Sequence, residues 1–313
     1  MLSGQVRILD FDGTVAGQEG LVRRYQPVIS DLKALGPAVR LWSNRQNANK
    51  VKNILSPELK NAVTFLGSGD FHHISSLLVE QFDAPITVIV FDHHPDWDIL
   101  PPKLGCGSWV SRILRRPNVK KVILLGISSD DISSYSIQTG NLKALHQSRV
   151  EIYPYAHEPT FTLFQKVPAD NVSVRVENGI FRSKISWTEL KGKDLTAFFM
   201  GLLGRIETQQ VYLSLDKDCL QSGYALTNWE EGLFPWEGFE LLLKLIREHL
   251  DIAGCDVTGD YSVPIMNGKI KTILAEMDHP RAFSAKGHDA AAIQALNQAQ
   301  NLKILEVLAL HNE

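Results

Sequence analysis

Cysteine is scarce in this sequence, and neither sign of charge is in clear excess. The 313 residues include three cysteines, Cys106, Cys219 and Cys255, which lie far apart and form no CxxC pair. This pattern excludes a disulfide framework and a thiolate zinc motif and indicates a reducing compartment, so we expect a cytoplasmic protein. Lys and Arg total 32 against 35 for Asp and Glu, a net charge of −3. Because basic residues are not in excess, we expect neither nucleic acid nor a membrane as a partner.

A long hydrophobic run is also missing. No segment approaches the roughly 18 consecutive apolar residues of a membrane span, and the first residues lack the basic and apolar stretches of a signal peptide. No repeat, low-complexity segment or Ser/Pro-rich linker divides the chain. With 44% hydrophobic and 21% charged residues the composition is that of a globular protein, and we expect one domain over residues 1–313.

Short apolar runs alternate with amphipathic stretches along most of the chain. Most of the runs are continuously apolar, as in strands of a parallel sheet that is covered on both faces. The predicted strands are Val6–Asp10, Val39–Trp42, Ala62–Leu66, Ile86–Asp92, Lys121–Gly126, Val150–Tyr153, Val211–Leu215 and Ile252–Val257. The predicted helices are Pro27–Leu35, Gln46–Ile54, Ile74–Phe82, Trp109–Leu114, Leu195–Ile206 and Trp236–Leu250. This order predicts an α/β fold, a three-layer αβα sandwich around a central, mostly parallel sheet.

One segment departs from this alternation of strands and helices. Val172–Val176 and Ile180–Ser186 alternate between apolar and polar residues, and Asn178-Gly179 stands between them. Asn-Gly is a strong local signal for a two-residue hairpin turn. We therefore expect a small β-hairpin that lies outside the main sheet.

Ionisable residues are concentrated directly after the predicted strand that begins at Ile86. Five of the seven residues from Asp92 to Asp98 are Asp or His. Asp92, His94 and Asp96 are spaced two residues apart, so in an extended segment their side chains point the same way. Binding residues of an open parallel sheet gather at the C-terminal ends of its strands. The segment is therefore a candidate site, the alternative being an exposed polar turn.

Two further strand ends carry the same residue types. Asp216 and Asp218 are also two residues apart, and carboxylates this close repel each other unless a cation or a proton lies between them. The third cluster follows the strand that ends at Leu66 and includes His72 and His73. Carboxylates and imidazoles without thiolates suit a pair of Mn²⁺ ions, with Zn²⁺ or Fe²⁺ as alternatives. Two such ions polarise a bridging water into a hydroxide near neutral pH.

These three segments resemble the motifs of the arginase/agmatinase (ureohydrolase) superfamily. The chain reads Gly69-Asp70-Phe71-His72 for the GGDH motif, Asp92-His93-His94-Pro95-Asp96 for DxHxD and Ser214-Leu215-Asp216-Lys217-Asp218 for SxDxD, in the same order as the family. The resemblance spans about Ala62 to Ser262. It implies an arginase-like fold and a binuclear, Mn²⁺-type hydrolase.

The resemblance also implies which residues hold the two ions. The implied ligands are His72, Asp92, Asp96 and Asp216 for one ion and Asp92, His94, Asp216 and Asp218 for the other, with Asp92 and Asp216 bridging. Phe71 stands where the family has an Asp next to its ligand histidine, so His73 is an alternative to His72. Asp98 lies beyond the motif, and we expect that it is no ligand.

The regions that bind substrate match the family less closely. The family's Gly-Asn-x-His segment corresponds here to Gly105–Trp109, which has no histidine, and its E-x-N-P motif has no aligned glutamate. Asp260 or Asp256 is the expected substitute for that glutamate, and Asp218 would pass a proton to the leaving amine. The resemblance implies that a bridging hydroxide attacks the sp² carbon of a small guanidino- or amidine-like substrate. Arginine, agmatine and formiminoglutamate are the family's precedents, and a homo-oligomer is a further expectation.

Two other interpretations are open. The segment Asp10-Phe11-Asp12-Gly13-Thr14 resembles the DxDGT motif of haloacid-dehalogenase-like phosphatases, in which Asp10 would be the phosphoryl nucleophile and Asp12 a general acid. This interpretation leaves the DxHxD and SxDxD segments without a role, and a plain strand followed by a glycine turn explains the same residues. The other interpretation is an arginase-like protein that binds metal without hydrolysis, which the missing histidine and glutamate favour.

Overall fold

Eight parallel strands form the main sheet of the computed structural model, which describes residues 2–102, 104–163, 171–278 and 289–309. These strands are β1 (Val6–Asp10), β2 (Val28–Asp31), β3 (Val63–Gly67), β4 (Ile86–Phe91), β5 (Val119–Leu125), β6 (Val150–Tyr153), β10 (Gln210–Asp216) and β11 (Asp251–Thr258). Their order across the sheet is β2-β1-β3-β11-β10-β4-β5-β6, and each neighbouring pair is parallel. The motif-bearing strands β3, β10 and β4 therefore end at the same edge, close to one another.

Both faces of the main sheet are buried, which is why its strands read as continuous apolar runs. All six residues of β4 are buried. Val88 and Val90 contribute to one hydrophobic core, whereas Ile89 and Phe91 contribute to a second core on the opposite face. Alternate residues of a strand point to opposite faces of a sheet, so each face has a core of its own.

Helices cover both of these cores. They are α1 (Glu19–Tyr25), α2 (Gly36–Val39), α3 (Arg45–Lys52), α4 (Ser75–Val79), α5 (Trp109–Ile113), α6 (Leu142–His146), α7 (Leu195–Leu203), α8 (Trp236–His249), α9 (Lys269–Asp278) and α10 (Ala290–Val307). Helices α2 to α6 contribute to the core that contains Val88, and α1, α7, α8 and α10 contribute to the core that contains Ile89. The predicted three-layer αβα sandwich is confirmed.

The segment Pro27–Leu35, predicted as a helix, instead contains edge strand β2. Its backbone pairs with β1 in parallel register from Arg7↔Val28 to Asp10↔Asp31. The β-branched side chains of Val28 and Ile29 fit an extended strand better than a helix. The helix prediction was wrong because Pro27 was interpreted as a first helical residue, whereas here it precedes an edge strand.

The segment Val39–Trp42, predicted as a strand, is not extended. Val39 ends helix α2, and Leu41 has a φ of 64°, in the left-handed region. The backbone N–H of Leu41 donates to the carbonyl oxygen of Asp70, and the guanidinium of Arg40 is buried against the Asp70 carboxylate. These contacts to the loop after β3 turn the chain where the apolar pattern predicts a strand. The other predicted strands are all present in the main sheet.

The predicted hairpin belongs to a separate, three-stranded antiparallel sheet. Its strands are β7 (Thr160–Leu163), β8 (Val174–Asn178) and β9 (Arg182–Trp187), in the order β7-β9-β8. Asn178 pairs with Ser183, and the Gly179 N–H donates to the Arg182 carbonyl, so Ile180 and Phe181 form the tip instead of Asn178-Gly179. Strand β7 was not predicted. No helix among the described residues combines the length and the apolarity needed to cross a membrane.

Candidate metal centre

The C-terminal ends of three strands of the main sheet bring the predicted ligands together. His72 lies in a 3₁₀ turn (Gly69–Ile74) directly after β3, and Asp92 is the first residue after β4. Asp216 is the last residue of β10, and Asp218 follows it in a second 3₁₀ turn. Because β10 pairs directly with β4, the carboxylates that follow these two strands converge.

His72 is the centre of a first group of acidic residues. Its Nδ1 atom lies 3.1 Å from Oδ2 of Asp92, 3.3 Å from Oδ2 of Asp96 and 3.3 Å from Oδ2 of Asp216. All four side chains are buried. The structure thus brings together the four residues of the first predicted ligand set around one point.

A second group shares Asp92 with the first. Nδ1 of His94 lies 3.1 Å from Oδ2 of Asp218 and 3.7 Å from Oδ1 of Asp92. The ligand atoms offered by these three residues lie within 4.8 Å of one another. Asp92 therefore presents one oxygen to each histidine, as a bridging ligand would. The other predicted bridge, Asp216, presents Oδ2 to His72 while its Oδ1 accepts the N–H of Asp218.

The electrostatics of these two groups fit a bound cation. Burial and the charge of Asp92 raise the pKa of Asp96 to about 7, and burial together with Asp218 raises the pKa of Asp216 well above its usual range. Oδ2 of Asp92 is buried and accepts no hydrogen bond of good geometry from the described residues. Crowded carboxylates with an unsatisfied buried oxygen are stabilised by added positive charge, which hard divalent ions supply.

A hydrogen-bond chain behind His72 fixes which ring nitrogen faces the acids. Nε2 of His72 lies 2.9 Å from Oγ of Ser214, and that hydroxyl donates to Oδ1 of Asp256 at 2.8 Å. Asp256 also accepts from Ser75 at 3.0 Å and from Tyr212 at 2.7 Å. Since the Ser214 proton is directed at Asp256, we assign the Nε2–H of His72 as donor to Ser214, which leaves Nδ1 as the free ligand atom.

His73, the alternative to His72, points elsewhere. Its Nδ1 atom lies 3.6 Å from Sγ of Cys106, and burial lowers the pKa of His73 to about 3. It belongs to neither group of candidate ligands in the described part of the chain. The neighbouring Phe71, which replaces an acid of the family motif, stacks on Phe11 in the core with a ring separation of 4.9 Å. The structure therefore favours His72 as the ligand.

Asp260, expected to bind or act on substrate, does not line the cavity above the two groups. Its Oδ2 atom lies 2.7 Å from Nζ of Lys217, and both side chains are completely buried. Its Oδ1 atom accepts a hydrogen bond from Gln18 at 2.8 Å. Asp256 is likewise buried, behind His72. The resemblance implied a substrate-binding acid after strand β11, but the acid found there, Asp260, forms an internal ion pair with Lys217.

The two aspartates of the DxDGT-like segment accept hydrogen bonds from neighbouring backbone and side-chain groups. Asp10 accepts from Gly13 N–H at 2.7 Å and pairs with Lys33 at 3.0 Å. Asp12 accepts from Thr14 and from the N–H of Ser68, in the loop that leads to His72. These contacts match the plain interpretation of the motif, a strand followed by a glycine turn, and nothing in them supports a phosphatase.

A cavity of about 440 Å³ opens above the two groups, and its wall includes residues to which the sequence analysis gave no role. The ring of Trp229 lies edge to face against His94, with centroids 5.1 Å apart. Oε2 of Glu230 lies 3.8 Å from Nε2 of His94. Trp229 and Glu230 are on the loop after β10, distant in sequence from His94.

Comparison with known proteins shows that the fold of the chain is a known one. No family model matches the chain. A protein of Thermotoga maritima described as uncharacterized is 25% identical over 263 residues, 83% of this chain and 81% of that protein. The structure is similar to an agmatine ureohydrolase of Thermoplasma volcanium, with a TM-score of 0.51, 11% identity, and coverage of 98% of this chain and 88% of the other.

An arginase from Bacillus caldovelox is also similar, with a TM-score of 0.50, 17% identity, and coverage of 91% of this chain and 99% of the other. The chain therefore has an arginase-like fold, and the fold that the three motifs implied is confirmed. At these identities the similarity defines the architecture, and the activity has to be argued from the site.

Proposed function

We propose that the protein is a binuclear metal-dependent hydrolase that cleaves a C–N bond of a small guanidino- or amidine-like molecule. The observation that carries this proposal is the position of Asp92, which presents one carboxylate oxygen to His72 and the other to His94. Both groups lie at the floor of a cavity of about 440 Å³, large enough for a small metabolite. A buried acidic cluster that served only the fold would not open onto such a cavity.

The residues present would hold two ions, and Mn²⁺ suits their imidazole and carboxylate atoms, with Zn²⁺ or Fe²⁺ as alternatives. His72 and Asp96 would hold the first, His94 and Asp218 the second, and Asp92 and Asp216 both. Ions bound there would supply Lewis-acid chemistry, lowering the pKa of water so that hydroxide is available near neutral pH.

The protein's own groups orient the reactants and move the proton. Asp218 lines the cavity, and its Oδ1 atom accepts the backbone N–H of His93 at 3.1 Å. This bond fixes the carboxylate, so that the other oxygen faces His94 and the cavity. We propose that Asp218 carries a proton from the attacking water to the nitrogen that leaves, as a general base and then a general acid.

The proposal is tested by incubating the Mn²⁺-loaded protein with agmatine, arginine and formiminoglutamate, with urea or formamide as the measured product. We expect turnover of at least one guanidino or amidino compound, lost in Asp92→Asn because that change removes a ligand from both ions. Full metal loading without any turnover would favour the alternative, an arginase-like protein that binds metal without hydrolysis. One observation favours that alternative. The segment Gly105–Trp109 contributes Cys106 and Gly107 to the cavity wall and contains no histidine.

A further inference from the structure

Three carboxylates outside the proposed ligand sets line the cavity in the described part of the chain: Asp98, Asp131 and Glu230. Oδ1 of Asp98 accepts a hydrogen bond from Thr139 at 2.8 Å, and Oδ2 of Asp131 accepts one from Ser129 at 2.9 Å. Glu230 differs from both, because its Oε2 atom points at a candidate metal ligand, 3.8 Å from Nε2 of His94. Its side chain is about half exposed, at 54%, and such a glutamate is ionised at neutral pH.

The segment that carries Glu230 is fixed at both ends. Asn228 is 2% exposed; its Oδ1 accepts from the Ser68 hydroxyl and the Ser262 N–H, and its Nδ2 donates to the Ser262 carbonyl. At the other end the Gly232 N–H donates to the carbonyl oxygen of Asp218. The loop is therefore hydrogen-bonded to the segments that follow β3, β10 and β11, and Glu230 lies between these two attachment points.

Gly232 has to be a glycine at this attachment. A Cβ atom there would lie 2.2 Å from the carbonyl oxygen of Cys219, a backbone atom that has no freedom to move away. The close approach of this loop to the turn after β10 thus depends on the missing side chain. The backbone of Glu230 is thus held beside the cavity by its neighbours in the loop.

The residue before Glu230 supplies an aromatic wall. Trp229 packs edge to face on His94, and a Cβ atom at Gly69 would lie 2.9 Å from Cδ1 of the indole. The ring thus occupies the space that Gly69 leaves, next to both groups of candidate ligands. An aromatic ring and a carboxylate side by side can bind a flat, delocalised cation. The ring contacts the face of the cation, and the carboxylate accepts charge-assisted hydrogen bonds from it.

We propose that Glu230 is the specificity-determining residue of this site and, together with Trp229, binds the planar amidinium or guanidinium group of the substrate. The inference rests on the proposed function. The resemblance implied that an acid after β11 binds the substrate, but Asp260 in that position is paired with Lys217. In this proposal Glu230, on the loop after β10, takes that role. A substrate whose reacting group is a neutral amide or urea would bring no positive charge to the Glu230 carboxylate, so we infer that the site selects cations.

The test measures binding of agmatine to the Mn²⁺-loaded protein by calorimetry, in the parent, Glu230→Gln and Glu231→Gln. Glu231 is the matched control, because it is the adjacent acid, is exposed and does not line the cavity. We expect Glu230→Gln to weaken agmatine binding about 10- to 100-fold, the size of a lost charge-assisted contact, with unchanged Mn²⁺ content. Glu231→Gln should bind as the parent does. A ureido counterpart of agmatine, which is neutral at the reacting group, should bind weakly and equally to all three proteins.

Two outcomes would overturn the inference: equal agmatine affinity in Glu230→Gln and the parent, or an equal loss in Glu230→Gln and Glu231→Gln. Either outcome leaves the proposed hydrolase intact if turnover is observed. Conversely, agmatine binding that depends on Glu230 supports the inference even when no hydrolysis follows, and in that case it is the proposed hydrolase that fails.

Discussion

Nδ1 of His72 lies 3.1 Å from Oδ2 of Asp92, although that oxygen accepts no hydrogen bond of good geometry from the described residues. With the Nε2–H of His72 directed at Ser214, a lone pair of Nδ1 faces a carboxylate oxygen. Two lone pairs directed at one buried point repel each other unless a cation or a proton lies between them. This pair of atoms is therefore the local feature that most directly indicates a metal ligand set.

The hydrogen-bond chain behind His72 predicts a specific effect on metal affinity. Ser214→Ala removes the partner of Nε2 and should weaken Mn²⁺ binding about 10-fold or more, as losses behind metal ligands usually do. Ser75→Ala is the matched control, because the Ser75 hydroxyl donates to the same Oδ1 atom of Asp256, whereas the His72 ring is bonded to Ser214. Isothermal titration of Mn²⁺ into both variants measures the difference. Equal affinities would show that the contact with Ser214 does not orient the histidine.

The DxDGT-like segment predicts a stability effect without a catalytic one. Asp10→Asn weakens the ion pair with Lys33 and the bond from Gly13 N–H, and should lower the free energy of unfolding by about 1–2 kcal/mol. Asp31→Asn is a suitable control, because Asp31 also pairs with Lys33 but is 69% exposed, so its loss should destabilise the protein less than Asp10→Asn does. Urea unfolding measures both. A phosphatase activity on p-nitrophenyl phosphate that disappears in Asp10→Asn would restore the dehalogenase-like interpretation.

The buried pair of Lys217 and Asp260 predicts a large stability effect. Lys217→Met leaves the Asp260 carboxylate buried without its cation, and should destabilise the protein by about 3–5 kcal/mol. Adding Asp260→Asn removes the uncompensated charge, so the double variant should be more stable than Lys217→Met alone. Denaturant titration of the three proteins measures this coupling. A double variant that is no more stable than the single one would mean that the pair is not what holds Asp260 in place.

Lys271 predicts a pH dependence of stability. It is 6% exposed and donates to the carbonyl oxygens of Ala38 and Trp42, and burial lowers the pKa of Lys271 to about 8. Between pH 8 and about 10.4 the unfolded chain therefore binds more protons at this residue than the folded one. The stability of the parent relative to Lys271→Met should rise as pH increases through this window and stay constant below it. A difference in unfolding free energy that does not change with pH would contradict the lowered pKa.

The sequence predicted the parts of the site that depend on strand ends. Asp92 and Asp216 follow apolar runs directly, and in a parallel sheet such positions meet at one edge. His72 lies further on, in the 3₁₀ turn Gly69–Ile74 after β3. The contributions of Trp229 and Glu230 could not be predicted, because they depend on Asn228 and Gly232 fixing a loop against distant segments.

The errors in the predicted elements have the same physical origin. The backbone of Val28–Asp31 is extended because it pairs with β1, and Leu41 takes a left-handed φ because Arg40 is held by Asp70. Asp260 was assigned to substrate because the sequence does not reveal that Lys217 is buried beside it. In each case a tertiary contact decides the outcome, and the local pattern contains no information about that contact.

The most direct test of the central claim is the number of Mn²⁺ ions bound per chain, measured by equilibrium dialysis and elemental analysis in the parent, Asp92→Asn and Asp98→Asn. Asp98 is the matched control, because it has the same charge, lies six residues away and lines the cavity without facing either histidine. We expect two ions in the parent and in Asp98→Asn, and loss of both in Asp92→Asn. One tightly bound Zn²⁺ in the parent and no second ion, or Mn²⁺ binding in Asp92→Asn equal to that of the parent, would contradict the binuclear site.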